Sequence, residues 1–176
     1  MLLRHGWTTH AFRVPRVLRG KLSDRGSLTR YLQSQHADFS VQLKARGLAR
    51  PFRDEAQTLH LNPANRVYVR DVLLMGDGHA RVFAHSVLSR ASLKGGWNGI
   101  TRMGTKPLGE ALFTNPRIRR LGLSLRRIDV RHPLYRAARF HTKLTARYLW
   151  ARRSVFCLNG QPLLVTEVFL PANNAL

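Results

Sequence analysis

The chain has 176 residues, 30 Lys and Arg against 9 Asp and Glu, a formal charge of +21 and 44% hydrophobic residues. That length suits one domain with one core, and no apolar stretch approaches the ~18 residues a membrane helix needs. A single cysteine, Cys157 in the apolar segment "SVFCL", excludes an internal disulfide and a cysteine-built zinc site and reads as a buried thiol.

The basic opening "MLLRHGWTTHAFRVPRVLRG" lacks an apolar core followed by a small-residue cleavage site, which argues against a secretory signal. Residues 1–21 read as a frayed basic segment of a single domain spanning 1–176. In "SLTRYLQSQH", Ser27 is placed to cap a helix that carries Leu28, Tyr31 and Leu32 on one face. "DFSVQLKARG" alternates Phe39, Val41 and Leu43 with polar neighbours, a half-buried strand. "ARPFRDEAQ" reads as a loop, and "TLHL" as a short strand stopped by Asn62-Pro63.

"RVYVRDVLLM", "GDG" and "HARVFAHSVLS" make a hairpin. "TKPLGEALF" predicts a short helix capped by Thr105, with Pro107 in its first turn and Leu108, Ala111 and Leu112 on one face. The Arg-rich stretch from 117 to 150 is mostly helical in pattern with a break near His132-Pro133, which predicts a basic helical insert over about 115–151. "RRSVFCL", Asn159-Gly160 and "QPLLVTEVFLP" form a second hairpin. Hairpins with helices between them indicate an antiparallel α+β domain.

The basic excess alone would suggest nucleic acid, but no helix-turn-helix, zinc-finger or aromatic RNA-binding pattern accompanies it. The eight histidines show no HExxH spacing, and GxSxG and GxxxxGK[ST] are absent. His85 reads as a satisfied or exposed histidine rather than a pocket residue, and Asp54 and Glu55 as members of a charged loop.

Two charges stand out because strand alternation commits them to apolar rows. Glu167 shares a face with Leu163, Val165 and Phe169, and Arg70 with Tyr68, Val72 and Leu74. Asp71 is the next acid of interest. Buried charges are costly unless paired. Arg70 and Glu167 therefore form a structural ion pair, or they flank a closed pocket in which Arg70 grips a carboxylate and Glu167 a hydroxyl. The pattern leaves both open.

Four segments, "SLTRYL" (27–32), "VRDVLLMGDG" (69–78), "KPLGEALFT" (106–114) and "RRSVFCLNGQPLLVTEVFLPA" (152–172), resemble the chorismate–pyruvate lyases in family order. The resemblance implies a six-stranded antiparallel sheet with flanking helices and helical flaps that enclose a buried ligand. It also implies a cofactor-independent enzyme that removes pyruvate from chorismate to leave 4-hydroxybenzoate for ubiquinone biosynthesis. Carried over by motif, Arg70 and Glu167 are the catalytic pair, and Leu28, Arg70, Leu108 and Glu167 contact substrate, with no metal. A non-catalytic small-anion sensor of the same fold is the alternative. The accompanying expectations are a cytoplasmic monomer with no specific nucleic-acid partner and weak contact with an anionic membrane surface.

Overall fold

The computed structural model describes residues 6–10 and 14–171. Helix α1 (Arg16–Ser23) and helix α2 (Leu28–Gln35) precede strand β1 (Phe39–Ala49) and helix α3 (Arg53–Thr58). Strands β2 (Val67–Gly76) and β3 (His79–Leu88) lead to helix α4 (Arg90–Lys94), a 3₁₀ turn (Asn98–Arg102) and helix α5 (Leu108–Thr114). Strand β4 (Arg119–Asp129), helix α6 (Pro133–His141), strand β5 (Tyr148–Leu158) and strand β6 (Gln161–Phe169) complete the order.

The strands form one six-stranded antiparallel sheet in the order β1-β2-β3-β6-β5-β4, the α+β architecture expected from the hairpins. Two hairpins supply its centre. Each turns on two residues with positive φ, Asp77-Gly78 (52° and 75°) and Asn159-Gly160 (50° and 76°). That backbone matches the right-handed twist of the strands it joins. The hairpins then meet through β3 and β6, whose register sets Ala84 against Glu167 and Ser86 against Val165. This non-local pairing places the two sequence-selected strands on one surface.

The sheet is covered on both sides. On one face α1, α2, α5 and the 3₁₀ turn bury Leu22, Leu28, Leu32, Ile100, Leu108 and Leu112 against Leu74, Val82, Leu88, Phe156, Leu163 and Val165. On the other, α6 and Trp7 pack Leu134, Tyr135 and Ala138 against Leu73, Phe83, Ala151 and Val168. Ser27 caps α2 by accepting from the Arg30 backbone N–H, as its position predicts.

Several expectations are corrected. The predicted loop at Arg53 is helix α3, and residues 58–61 form the end of that helix and a turn rather than a strand. Helix α5 starts directly after Pro107, so Thr105 is not its cap. The basic insert predicted as helical contains a strand and only one helix. Leu121, Leu123 and Leu125 alternate with Gly122 and Ser124 along β4, a two-residue period that the surrounding arginines obscure. The predicted break is the start of α6, where His132 caps the Leu134 N–H and Pro133 occupies the first helical position. Residues 16–21 of the predicted frayed segment are helical; residues 1–5 and 11–13 of that segment lie outside the described residues. Cys157 is half-buried rather than buried.

Candidate active site

Antiparallel registry puts Arg70, Ser86, Val165 and Ser154 in one cross-strand row, and Val72, Ala84, Glu167 and Arg152 in the next row on the same face. Arg70 and Glu167 are thus two strands and two residues apart, a Cα separation of about 12 Å from ordinary sheet spacings. They do not pair with each other.

Arg70 is only 2% exposed. Its Nη2 donates to the carbonyls of Gly104 and Lys106, both at 2.9 Å, which ties the turn before α5 to the sheet. Its Nε is buried and has no hydrogen-bond partner. Burial, followed by the nearby Arg46 charge, lowers its pKa despite the opposing influence of Tyr68.

Glu167 is held by Arg152, which is 1% exposed. The Arg152 Nε donates to Glu167 Oε2, and its Nη2 donates to Oε1 at 3.3 Å. The Arg152 Nη1 donates to the carbonyls of Lys21 and Asp24 at 3.1 and 2.9 Å. A bidentate fork of this kind orients a carboxylate as well as neutralising it. Arg152 is the residue that sequence reasoning missed. Its signal was its place opposite Glu167 in the hairpin register, two positions readable from Asn159-Gly160.

Leu28, Leu108 and Glu167 line one small cavity with Thr29, Leu74, Ala84, Gly109, Leu112, Phe113, Arg120, Phe156 and Val165. Arg70 lies on the same face but is not part of that lining. The cavity measures about 30 Å³, far below the ~300–1,000 Å³ of ordinary ligand pockets. A ring-sized ligand requires α2 and α5, its roof, to move apart. The two helices touch closely: a Cβ on Gly109 would lie 2.5 Å from Thr29 Oγ1. Only a residue without a side chain permits that approach.

Buried polar atoms without a hydrogen bond occur on both faces; on the one opposite the cavity Glu55 Oε1, His85 Nε2 and Arg153 Nη2 sit in ion pairs and Arg153 Nη1 is left over. Tyr68 Oη, Arg70 Nε, Arg120 Nε, Trp150 Nε1 and Ser154 Oγ are all buried without a hydrogen bond, and all belong to residues whose register places them on the α2/α5 side. Such groups in a native fold call for a ligand or ordered water.

The opposite face is different in kind. His85 lies between Asp71, at 2.5 Å from Nδ1, and Glu55, at 3.2 Å from Nε2. Burial opposes its charge, but the Glu55 and Asp71 carboxylates outweigh burial and raise its pKa to about 10. Asp54 accepts from Trp7 Nε1 at 2.9 Å and meets Arg153 Nη2 at 2.9 Å and His132 Nε2 at 3.6 Å. Burial would raise the Asp54 pKa, yet His132, Arg153 and Trp7 together hold it well below the usual carboxylate range. Asp54 and Glu55 are therefore buried partners, not members of a charged loop, and Asp71 serves this network rather than the cavity.

Two wider clefts flank the molecule. One of about 480 Å³ lies on the ionic face among Arg53, Arg126, Arg127 and Arg131, and one of about 490 Å³ lies outside α2 beside Tyr31, Tyr148 and Trp150. Among the described residues no His, Cys, Asp and Glu cluster suits a metal ion, and no helix is long and apolar enough to cross a membrane.

The family model described as chorismate lyase matches residues 6–174. A probable chorismate pyruvate-lyase of Thiobacillus denitrificans is 65% identical over 170 residues, covering 97% of this chain and 91% of its own. One from Nitrosomonas eutropha is 41% identical over 170 residues, covering 97% and 96%. Among solved structures, the PhnF C-terminal domain matches with a TM-score of 0.58 at 12% identity, over 83% of this chain and 91% of that one. The ligand-binding domain of a putative GntR-family regulator from Bordetella bronchiseptica matches at 0.54 and 15%, over 79% and 86%. Likeness at that identity concerns the fold alone.

Proposed function

Because the chain belongs to the chorismate lyase family, we propose that it eliminates pyruvate from chorismate to give 4-hydroxybenzoate, in the cytoplasm and for ubiquinone biosynthesis, without a cofactor. The observation that carries this reading is the pair of buried guanidinium Nε–H groups without a partner, Arg70 and Arg120, on the sheet face that holds Glu167, with Arg120 and Glu167 in the wall of one cavity. The sensor alternative has no comparable support, since the regulator domains share only the fold.

In the elimination, the ring carbon bearing the enolpyruvyl ether loses that oxygen, and the neighbouring carbon bearing the hydroxyl loses its hydrogen. The electron pair of that C–H bond completes the aromatic ring, and the released enol becomes pyruvate. Aromatisation drives the reaction, so the protein's task is to orient the substrate and accommodate moving charge. Arg70 takes the ring carboxylate through its free Nε, on the fork already anchored to Gly104 and Lys106. Glu167, fixed by Arg152, addresses the hydroxyl end and accepts the proton from the hydroxyl-bearing carbon, or holds the retained hydroxyl while that proton passes to the departing enolpyruvyl group. Leu28 and Leu108 close the roof over the ring. Leu108 also offers its backbone N–H at the start of α5.

The decisive experiment mixes purified protein with chorismate and follows 4-hydroxybenzoate by ultraviolet absorbance. Turnover without added metal or nucleotide is the expected result. The enzyme is expected to act as a monomer, with no nucleic-acid partner. Its weak contact with anionic lipid would use the outer side of α6, where Phe140 is 85% exposed among Arg136, Arg139 and Lys143. Sedimentation with anionic but not neutral vesicles at low salt tests that contact.

A further inference from the structure

Arg120 comes from the Arg-rich segment that sequence patterns assigned to a helix, yet strand β4 brings it to the wall of the cavity beside Glu167. Its guanidinium lies over two rings, 5.2 Å from the centre of Phe113 and 5.0 Å from that of Phe156. The Nη1 donates to the Arg25 carbonyl at 2.6 Å, so the group is held at one end and lies against two rings set nearly perpendicular to each other. The Nε–H is buried and has no partner. A guanidinium fixed in this way, with a donor left over, is pre-organised for an anion.

The charges around Arg120 favour an anionic ligand. The nearest carboxylate in the cavity wall, Glu167, is already engaged by Arg152. With Arg120 added, two guanidinium groups surround one carboxylate, leaving one positive charge uncompensated. Burial and the Arg152 charge accordingly lower the Arg120 pKa, against the weaker pull of Glu167. Arg70 supplies a second cation about 12 Å from Glu167 along the same face. The face thus presents two buried guanidinium groups with spare donors, Arg70 on β2 and Arg120 on β4, on either side of Glu167 on β6.

Resting on the lyase proposal, we infer that Arg120 binds the enolpyruvyl carboxylate of the substrate, and so distinguishes substrate from product. Chorismate carries that carboxylate and 4-hydroxybenzoate does not. As the ether bond breaks, negative charge grows on the departing enolpyruvyl oxygen, and the same guanidinium is placed to stabilise it.

The test compares Arg120→Gln and Arg120→Met with wild type in two measurements: steady-state kinetics with chorismate, and titration of 4-hydroxybenzoate followed by tryptophan fluorescence. Loss of a charge-assisted contact should lower chorismate kcat/KM by about 10- to 100-fold, while 4-hydroxybenzoate affinity stays within about twofold. Unchanged product affinity also certifies that both variants are folded. Equal weakening for both ligands would assign Arg120 a structural role and overturn the inference, as would unchanged chorismate kinetics. Wild-type turnover is read first: its absence overturns the lyase proposal and this inference together, whereas turnover with equal weakening overturns the role of Arg120 alone.

Discussion

On the α3/α6 side of the sheet, His85 sits between Glu55 and Asp71, and Asp54 meets Arg153, His132 and Trp7. On the α2/α5 side, Arg70 and Arg120 each keep a buried N–H with no acceptor, and Glu167 is answered from the next strand by Arg152. Both faces bury charge at the expense of hydration. Among the described residues, the first face pairs its carboxylates with cations and leaves Arg153 Nη1 over, whereas the second leaves two guanidinium Nε–H groups, an indole N–H and two hydroxyls. A closed network stabilises a fold or fixes its register, and an open one is a binding surface.

The sharpest way to break this contrast is His85→Ala, which strands two carboxylates on the closed face. Removal of one member of a buried ionic cluster costs about 3–5 kcal/mol, so the melting temperature should fall steeply. The folded fraction should retain wild-type KM for chorismate, and a changed KM would show that the faces are coupled. Arg70→Ala tests the open face. It should lower kcat/KM by the equivalent of about 2–5 kcal/mol with a smaller loss of thermal stability, from the two carbonyl contacts alone. Normal turnover in that variant would remove the carboxylate role.

Glu167→Gln keeps an acceptor for Arg152 and should fold, while slowing turnover by about 100-fold or more if the carboxylate takes the proton. Full rate would leave it only a positioning role.

The pH dependence of stability sharpens the comparison further, because its main terms belong to the closed face. The His85 pKa is raised to about 10 in the fold from about 6.5 in an unfolded chain. Its stabilising effect is therefore complete below pH ~6.5 and lost as pH rises towards 10. Asp54 works in the opposite direction: its depressed pKa stabilises the fold above pH ~4, and that contribution disappears as acid protonates it. Denaturant titrations should show both limbs, and the alkaline limb should flatten in His85→Gln. The smallest expected effect is Ser27→Ala, a loss of about 1 kcal/mol through the α2 cap, with a rise in the dissociation constant for 4-hydroxybenzoate because α2 roofs the cavity.

The hairpins were legible because Asp77-Gly78 and Asn159-Gly160 are local turn signals and strand alternation is a local period. That same alternation singled out Arg70 and Glu167, since a charge in an apolar row is visible without knowing its neighbours. Helix α3 was not legible. Its Asp54 and Glu55 are buried only because Arg153, His132, Trp7 and His85, far away in the chain, meet them. Strand β4 was hidden for a related reason: seven-residue arginine-rich windows suit a helix or an edge strand equally, and pairing with β5 decides between them.

Sequence by itself determined the antiparallel hairpins, the capped helix after Ser27 and the charge set in each of two apolar rows, because each depends on spacing between near neighbours. Only the tertiary structure decided that Arg70 and Glu167 stand apart instead of pairing, that Arg152 holds Glu167, and that Arg120 reaches the cavity. Those outcomes follow from the β3–β6 registry and from the packing of α2 on α5, contacts between segments that no local pattern relates.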